Sequence, residues 1–330
     1  MHFGIIGAGL AGLTCAARLV GAGHEVSAFD KGRGPGGRMS TRRIDTPLGQ
    51  ARFDHGAQFC AATTPGFARQ VADWAQRGVV APWPAAGPDA YVGVPGMNAL
   101  VADLAHRHDV TFDCLVKGLV HDGRHWWLVL EGERRGPFDA VIVATPAEQA
   151  APLLSLHAFP MARAAARSSS QACWTTMMAW AESLPVDWTV WRGEGPLAWV
   201  ARNSAKPGRQ GPAQGAPDCW VIQASPEWSR QHLELAPEAA IGPIADAFAD
   251  LAGIALPEPL VARAHRWRFA RPSGTGTMAL WDRTLRLGAC GDWLIEPTVQ
   301  GAWLSGDALA DRILAQGESE SECDSLRRAG

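Results

Sequence analysis

Short apolar runs and turn residues alternate through the first thirty positions of the chain. The run His2–Ile6 predicts a strand, Gly7–Gly12 a glycine-rich turn, Leu13–Val20 an apolar helix and Glu25–Phe29 a second strand. This order is that of one βαβ unit, in which the two strands run parallel. The sequence therefore predicts that the chain begins with part of a parallel sheet.

Further apolar runs predict more strands of the same sheet. His125–Leu130 and Ala140–Thr145 fit buried strands, the second being bounded by a proline. Near the C-terminus, Leu285–Cys290 fits a short strand, and Gly301–Leu314 fits a helix with one apolar side. We therefore expect both ends of the chain to contribute to one nucleotide-binding sheet.

The segments between these parts are rich in Trp and Pro and predict a second domain interleaved with the first. The expected boundaries are 1–73, 92–150 and 280–316 for the nucleotide domain, and 74–91 and 151–279 for the second domain. The composition of Ser204–Asp218 predicts a surface loop. The charged, serine-rich tail 317–330 is predicted to be disordered.

Composition excludes several classes of function. With 330 residues and 47% apolar side chains, the chain can bury a sizeable core, and its net charge of -3 gives no basic field for nucleic acid. There is no apolar stretch of about 20 residues and no signal-peptide pattern, so we expect a cytoplasmic protein without a membrane partner. Its seven cysteines form no C-x-x-C pair, which argues against disulfides and against a metal site.

Gly7, Gly9 and Gly12 form the pattern G-x-G-x-x-G directly after a predicted strand and at the start of a predicted helix. The first glycine allows a tight turn, the second lets a pyrophosphate approach the backbone, and the third lets helix and strand pack closely. Asp30 ends the second strand, where its carboxylate can accept hydrogen bonds from ribose hydroxyls. The motif predicts a dinucleotide and does not separate NAD from FAD.

Two further segments favour FAD. Arg33–Arg38 is a second glycine-rich turn, whose guanidinium groups suit a pyrophosphate as bidentate donors. An NAD-only domain has no use for this turn, and no second G-x-G-x-x-G follows it. Asp292 precedes the last predicted helix, which Gln300–Ala302 opens. The positive end of that helix suits the negative charge of a reduced flavin.

The combination of these motifs resembles the renalase family of flavoproteins, and is most similar to its bacterial members. The shared segments are Gly7–Gly12, Phe29–Lys31, Gly36–Arg43, Asp54–Phe59, Val92–Met97, Val141–Pro146, Ala201–Pro207, Trp228–Gln231, His265–Trp267, Cys290–Trp293 and Gly301–Gly306. The first and last are shared with the wider group of amine-oxidase-like flavoproteins. The middle segments carry the specific resemblance.

The resemblance implies an α/β fold, with a Rossmann-type FAD-binding domain and an interleaved α+β substrate domain, as in amine oxidases and hydroxybenzoate hydroxylase. It implies non-covalent FAD and oxidation of the 2- and 6-dihydro isomers of NAD(P)H to NAD(P)+. A hydride would pass to flavin N5 and the electrons to dioxygen, giving hydrogen peroxide. The role would be metabolite repair, with the dinucleotide and dioxygen as partners, and no side chain need act as acid or base.

The residues expected to hold the cofactor are Gly7, Gly9, Leu10, Ala11, Gly12, Asp30, Lys31, Arg33, Gly37, Arg38, Gly56, Ala57, Val116, Asp292, Gln300, Gly301 and Ala302. Those expected to contact the substrate are Gln58, Phe59, Pro95, Gly96, Met97, Asn203, His265 and Trp293. Purely structural roles stay open for several of them: Phe59 and Trp293 as core residues, Asn203 as a turn cap and His265 as a structural hydrogen-bond partner. His55 is interpreted as a turn position.

Two other functions remain open. An amine oxidase would commonly flank its substrate with two tyrosines, but Tyr91 is the only tyrosine, although Trp can substitute. No cysteine between Asp292 and Gly306 offers a flavin tether, and nothing in the sequence places Lys206 at the flavin. A flavin-binding regulatory protein without turnover is the other alternative, but no segment resembles an output module.

Overall fold

The computed structural model describes the backbone of residues 1–328 and the side chains of residues 1–315. The tail 317–330, predicted to be disordered, lies outside the fully described residues. The chain divides into two compact units. The first unit is Met1–Gly37, Val101–Ser169 and Pro272–Gly330, and the second unit is Arg38–Leu100 and Ser170–Arg271.

The strands are β1 His2–Ile6, β2 Glu25–Phe29, β3 Thr41–Thr46, β4 Gly49–Asp54, β5 Cys60–Ala61, β6 Val80–Pro82, β7 Ala90–Gly93, β8 Asp109–Thr111, β9 Gly118–His121, β10 Trp126–Val129, β11 Arg134–Phe138, β12 Ala140–Val143, β13 Ser170–Trp180, β14 Val190–Arg192, β15 Leu197–Arg202, β16 Asp218–Ala224, β17 Val261–Pro272, β18 Leu280–Asp282 and β19 Leu287–Ala289. The helices are α1 Leu10–Gly21, α2 Pro65–Gln76, α3 Ala99–Ala105, α4 Ala147–Leu154, α5 Phe159–Arg167, α6 Pro226–Gln231, α7 Pro237–Ala252 and α8 Val299–Arg328. In the part of the chain that these elements cover, no helix is both long and apolar enough to cross a membrane.

The first unit contains a six-stranded sheet in the order β18-β19-β12-β1-β2-β8. All neighbours pair in parallel except β18, which runs antiparallel to β19 at the edge. Every residue of β12 is buried, as expected for a parallel strand covered on both faces. The predicted α/β fold, with strands from both chain ends in one parallel sheet, is therefore confirmed.

One predicted strand belongs elsewhere. The run His125–Leu130 yields β10, but β10 lies in a separate antiparallel sheet with the order β11-β10-β9. Buried and half-buried positions alternate along β10, which is the pattern of a strand covered on one face. The apolar run predicts the strand correctly, but it carries no information about which strand pairs with it.

The second unit is built around an antiparallel sheet with the order β14-β15-β16-β13-β17. Its core contains several large aromatic side chains, since Trp174, Trp180, Trp220 and Phe248 are all almost fully buried in one cluster. In a second apolar cluster of this unit, Phe53 of the β3–β4 hairpin packs with residues of β13 and β16. The Trp-rich composition of these segments thus serves mainly to fill this core.

The units differ from the predicted domain boundaries. Residues 38–73 and 92–100 belong to the second unit, and residues 151–169 and 272–279 belong to the first. The β3–β4 hairpin joins the second unit because Ala51 and Phe53 pack with its sheet, whereas Leu154 of α4 packs into the core of the first. Composition along the chain does not reveal this packing.

Candidate cofactor and substrate sites

The glycine-rich turn of the first unit connects β1 to α1. Gly7 has φ +103, and a Cβ there would lie 2.6 Å from the carbonyl oxygen of Ala144. A Cβ on Gly12 would overlap the carbonyl oxygen of Gly7. Both positions therefore require glycine, because the turn is tight and the helix packs directly against the strand ends.

The middle glycine of this turn faces open space. A Cβ on Gly9 would meet no atom within 4 Å, and no side chain caps α1 at this residue. The first amide groups of a helix have no partner within the helix, and they bind anions readily. The start of α1, with Leu10 and Ala11, is thus an uncapped helix end with room in front of it.

Asp30 is fixed beside this turn at the end of β2. Its Oδ2 accepts a hydrogen bond from the Ala8 amide at 2.8 Å, and its Oδ1 accepts one from the Gly32 amide at 2.7 Å. Each carboxylate oxygen keeps a second lone pair. Asp30 is therefore oriented by the backbone and still able to accept hydrogen bonds from sugar hydroxyls.

The start of α8 provides the other predicted cofactor residues of the first unit. Asp292 and Gln300 are almost fully buried, and the Gly301 amide donates to Thr298 Oγ1 at 2.8 Å. A Cβ on Gly301 would lie 2.5 Å from the Glu296 carbonyl oxygen, so this turn is also tight. Lys31, Arg33 and Gly37 are exposed, Ala302 is half-buried, and Val116 is buried in the core of this unit.

Trp293 was predicted to contact the substrate, with a core role as the alternative. Its side chain is fully buried within the apolar cluster of the first unit. Its indole Nε1 donates to the Thr145 carbonyl oxygen at 3.2 Å. These contacts give Trp293 a structural role in the first unit, and its contact with a substrate stays a prediction.

In the second unit, Arg38 and Gly56, both expected to hold the cofactor, lie close together. The Ala57 amide donates to the Arg38 carbonyl oxygen at 2.9 Å, and a Cβ on Gly56 would overlap that oxygen. Gly56 therefore allows two backbone segments to approach each other closely.

A buried charge cluster, formed by Asp54, Lys206 and Arg209, lies in the second unit. Asp54 Oδ2 accepts from Lys206 Nζ at 3.2 Å and from Arg209 Nη2 at 2.5 Å, and all three side chains are at most 2% exposed. Asp54 Oδ1 accepts from Thr41 Oγ1 at 2.8 Å and from the Met97 amide at 2.9 Å. One carboxylate thus faces two cations, so the cluster carries a net positive charge.

Lys206 also fixes the side chain of Gln58. Its Nζ donates to Gln58 Oε1 and to the Gln58 carbonyl oxygen, each at 3.1 Å, and lies 4.9 Å from the centre of the Trp83 ring. Gln58 Nε2 donates to the carbonyl oxygens of Asp54 and Gly56. The prediction that Ser204–Asp218 is a surface loop is therefore wrong at Lys206. Its ammonium group is buried because the Asp54 carboxylate is a buried partner for it.

The ionisation of the cluster follows from these contacts. Burial alone would raise the pKa of Asp54, but attraction by Lys206 and then Arg209 outweighs it and lowers that pKa to about 2. Burial lowers the pKa of Lys206 to about 8, an effect that Asp54 opposes. At pH 7 both groups are charged.

Other predicted substrate residues surround this cluster. Asn203 is fully buried, and it accepts from the Asp54 amide at 3.3 Å and donates to the Arg52 carbonyl oxygen at 2.9 Å. Met97 is also fully buried, and a Cβ on Gly96 would lie 2.5 Å from Thr41 Oγ1. The structure therefore brings Gln58, Gly96, Met97 and Asn203 around one carboxylate, although both ends of the Asn203 amide already have protein partners.

Phe59 belongs to an aromatic cluster that it forms with Trp83 and Trp199. Phe59 stacks on Trp199 with a centroid distance of 5.6 Å, and the Trp83 ring meets both edge-on. The guanidinium of Arg192 lies 5.0 Å from the Phe59 ring centre and 4.6 Å from that of Trp199. The aromatic rings of this cluster are thus already in contact with a cation, the Arg192 guanidinium.

Comparison with known protein families identifies the family to which this chain belongs. An NAD(P)-binding Rossmann-like domain matches residues 5–77, and a flavin containing amine oxidoreductase matches residues 76–314. The second match covers more than half of the chain. The chain belongs to the flavin-containing amine oxidoreductase family. It is therefore an oxidoreductase of that family, and its cofactor is FAD, bound without a covalent link.

Solved structures similar to this amine oxidoreductase support the fold. A protein from Exiguobacterium sp. 255-15 assigned as a protoporphyrinogen oxidase has a TM-score of 0.68 at 12% identity, covering 96% of this chain and 99% of its own. Putrescine oxidase bound to putrescine has a TM-score of 0.65 at 15% identity, with the same coverage. At such low identity, these likenesses concern the fold alone.

A 4,4'-diapophytoene desaturase of Staphylococcus aureus is 47% identical to this amine oxidoreductase over 45 residues. The match covers 14% of this chain and 9% of the desaturase. This chain therefore spans only a small part of the desaturases that it matches.

The first unit fits the FAD of this family on its own geometry. Gly9 leaves a cradle that a side chain would fill, the start of α1 carries no capping side chain, and the Asp30 carboxylate lies beside both. The pyrophosphate would be held at the start of α1 and the ribose at Asp30. The start of α8 would hold the negative charge of a reduced flavin.

His55 and His265 form a second feature of this amine oxidoreductase that spacing did not predict. His55 is 3% exposed rather than a variable turn position, and its ring lies 5.1 Å from His265 and 5.0 Å from Trp267. Burial, then repulsion by His265 and Arg42, lowers the pKa of His55 to about 3. Burial and then Arg42 lower the pKa of His265 to about 4. Both rings are neutral at pH 7.

Sequence reasoning missed three residues of the buried cluster and His55. Asp54 and His55 open the segment Asp54–Phe59, and Lys206 lies in Ala201–Pro207, both of which carried the family resemblance. The signal was therefore present as charged residues within specific motifs. Arg209 follows in a glycine- and proline-rich stretch that gives no sign of burial.

Proposed function

We propose that this chain is an FAD-dependent oxidase that returns the 2- and 6-dihydro isomers of NAD(P)H to NAD(P)+ and reduces dioxygen to hydrogen peroxide. Its role would be metabolite repair in the cytoplasm. The dinucleotide and dioxygen would be its partners, with no nucleic acid and no membrane involved. The proposal is more specific than the family of the chain, which is that of the flavin-containing amine oxidoreductases.

The sign of the buried charge carries the proposal. Around the predicted substrate residues of the second unit, the buried Lys206 and Arg209 face the single carboxylate of Asp54. The exposed Arg192 adds a further positive charge over Phe59 and Trp199. Buried charge of one sign attracts the opposite sign and repels its own more strongly than in water. An anionic dinucleotide is therefore favoured as substrate over a cationic amine.

The chain's own residues need only hold and orient the substrate. When bound, FAD supplies the hydride acceptor and passes electrons to dioxygen. Phe59 and Trp199 stack on each other and form an aromatic surface beside Gln58, which Lys206 fixes in a single orientation. His55 and His265 are neutral at pH 7 and add no charge. No side chain is required as a proton acceptor, because the bond that breaks is a C–H bond.

An amine oxidase is the alternative, and family membership favours it. The aromatic cluster of Phe59, Trp83 and Trp199 supplies the rings that such enzymes place beside an amine. In this chain, however, the ammonium of Lys206 and the guanidinium of Arg192 lie against those rings. An ammonium substrate would have to approach two cations.

Anaerobic mixing of the flavin-loaded enzyme with each candidate separates the two functions. We expect 6-dihydroNAD and 2-dihydroNAD to bleach the flavin absorbance rapidly, and ordinary NADH and putrescine to leave it oxidised. Admission of air should then restore the flavin and yield one equivalent of hydrogen peroxide. Bleaching by an amine but by neither isomer would contradict the proposal. Absence of bleaching by every candidate would favour a regulatory flavoprotein.

A further inference from the structure

A cavity of about 220 Å³ lies within the second unit. Its lining includes two arginines, Arg52 and Arg209, and two glutamines, Gln50 and Gln210, but no acidic residue. Pockets for drug-sized ligands are typically about 300–1,000 Å³. This cavity is therefore large enough for one or two phosphate groups and too small for a whole dinucleotide.

The register of the β3–β4 hairpin places like charges opposite each other beside this cavity. Arg52 pairs directly with Arg43, and Gln50 pairs with Asp45, so these four residues share one face of the hairpin. Ala51 and Phe53 point to the other face and into the core. Directly opposed like charges destabilise a hairpin.

Neither arginine of this cross-strand pair has an acidic partner in the described part of the chain. Asp45, on that face, accepts a long hydrogen bond from Gln50 at 3.5 Å. Asp54, on the same face two residues after Arg52, pairs with Lys206 and Arg209 instead. Arg43 is exposed and Arg52 is half-buried. An anion between or beside them would relieve the repulsion of Arg43 and Arg52.

Arg209 gives an independent reason to expect an anion. Its side chain is 2% exposed; Nη2 donates to Asp54, and Nη1 donates to the carbonyl oxygens of Gly93 and Pro207. Its Nε is buried without a partner. Buried donors are nearly always paired, so an orphan at a cavity wall calls for a ligand or an ordered water. Lys206 and Arg209 share the Asp54 carboxylate, so these three side chains together carry a net positive charge.

We infer that this cavity binds the diphosphate group of the dinucleotide substrate. Arg52 would be its main ligand as a bidentate donor, with Gln50 and Gln210 at its rim and Arg209 behind. The inference rests on the proposed function for the molecule that carries the diphosphate. The chemistry of the cavity itself fits any phosphate-bearing anion, so free pyrophosphate must be distinguished from the dinucleotide.

The test is calorimetric titration of the flavin-loaded enzyme with inorganic pyrophosphate and, separately, with ADP-ribose. We expect both to bind the parent enzyme, and R52Q to weaken both by about tenfold or more, the loss typical of a charged hydrogen bond. R263Q, an exposed arginine on β17 of the same unit, should leave both affinities unchanged. In turnover of a dihydro isomer, R52Q should raise KM with little change in kcat.

Two outcomes would overturn the inference. If R52Q binds ADP-ribose as the parent does, the cavity is not the diphosphate subsite, even where pyrophosphate binding falls and a free-anion site remains. If R52Q and R263Q weaken both ligands equally, the effect is one of overall charge. R52K, which keeps the charge without the planar fork, should lie between the parent and R52Q and guards against loss of folding. Failure of the dihydro isomers to reduce the flavin, with ADP-ribose binding intact, would instead contradict the proposed function.

Discussion

The glycine-rich turn of the first unit and the buried charge cluster of the second are built in opposite ways. The turn draws on Gly7, Gly12 and Asp30, which lie within one βαβ unit, and its geometry depends on the absence of side chains. In the cluster, Asp54 meets Lys206 and Arg209 from positions 152 and 155 residues further along the chain. Local steric requirements leave a pattern in the sequence, whereas a long-range charge arrangement leaves only isolated charged residues.

The two regions also respond differently to substitution. A side chain added at Gly7 or Gly12 would overlap backbone atoms beside it, so the turn must shift and the ligand held there is bound less well. The buried cluster fails when its one carboxylate is removed, because buried ions left without a partner are costly for the whole unit. We therefore expect the largest effect on folding from the cluster and the largest effect on cofactor binding from the turn.

Asp54→Asn tests the cluster and should have the largest effect. The substitution keeps the shape of the side chain but leaves Lys206 and Arg209 buried without a counter-charge. We expect the free energy of unfolding to fall by about 3–5 kcal/mol, measured by urea denaturation. Asp73→Asn, which breaks the exposed pair between Asp73 of α2 and Arg77 just after it, is the control and should cost less than about 1 kcal/mol. Equal losses of unfolding free energy in the two variants would mean that the cluster contributes no more to stability than a surface ion pair does.

The same contrast explains how much of the molecule was predictable. β1 and β2 were predicted residue for residue, because their apolar runs are short and bounded by glycine and charged residues. Lys206 was expected at the surface, since a lysine in a loop rich in glycine and proline ordinarily is. Its burial depends on Asp54, a partner that no local pattern identifies.

Pairing and packing limited the other predictions. β10 was recognised as a strand but assigned to the wrong sheet, because an apolar run does not specify its neighbour. The β3–β4 hairpin was placed in the nucleotide domain, whereas Phe53 packs in the second unit. In both cases the missing information was a tertiary contact rather than a local preference.

Gly12→Ala tests the turn. The added methyl group would overlap the Gly7 carbonyl oxygen, so the turn or the start of α1 must shift. Overpacking of this kind costs about 1–3 kcal/mol. The apoprotein can relieve this strain by shifting the turn, whereas the FAD-bound form needs the turn in place, so we expect FAD binding to weaken roughly tenfold to a hundredfold. The readouts are the flavin content of purified protein and a fluorescence titration of the apoprotein with FAD.

Gly21→Ala is the matched control for Gly12→Ala. Gly21 is the last residue of α1, and a Cβ there would meet no atom within 4 Å. We expect this variant to bind FAD as the parent does. If both variants bind FAD equally well, the tight packing of the turn has no part in holding the cofactor.

His55 combines a local motif with a long-range contact, and its substitution should have the smallest effect of the three. By position it belongs to a local motif, but Trp267, 212 residues further on, donates a hydrogen bond to its carbonyl oxygen. Burial first, then His265 and Arg42, lowers the pKa of His55 from 6.5 to about 3. Below pH 6.5 the unfolded chain therefore binds a proton that the folded protein excludes, so stability falls as the pH falls towards 3.

Between pH 6.5 and pH 5, this difference should cost about 2 kcal/mol in the free energy of unfolding. His265 acts in the same direction, by a smaller amount because it is partly exposed. His55→Phe should flatten the dependence in this range, measured by urea denaturation at each pH, whereas His106→Phe, at an exposed position, should keep the parental slope. An unchanged slope in His55→Phe would mean that His55 is hydrated in the folded protein. Its place in the motif would then reflect the backbone turn alone, as the sequence suggested.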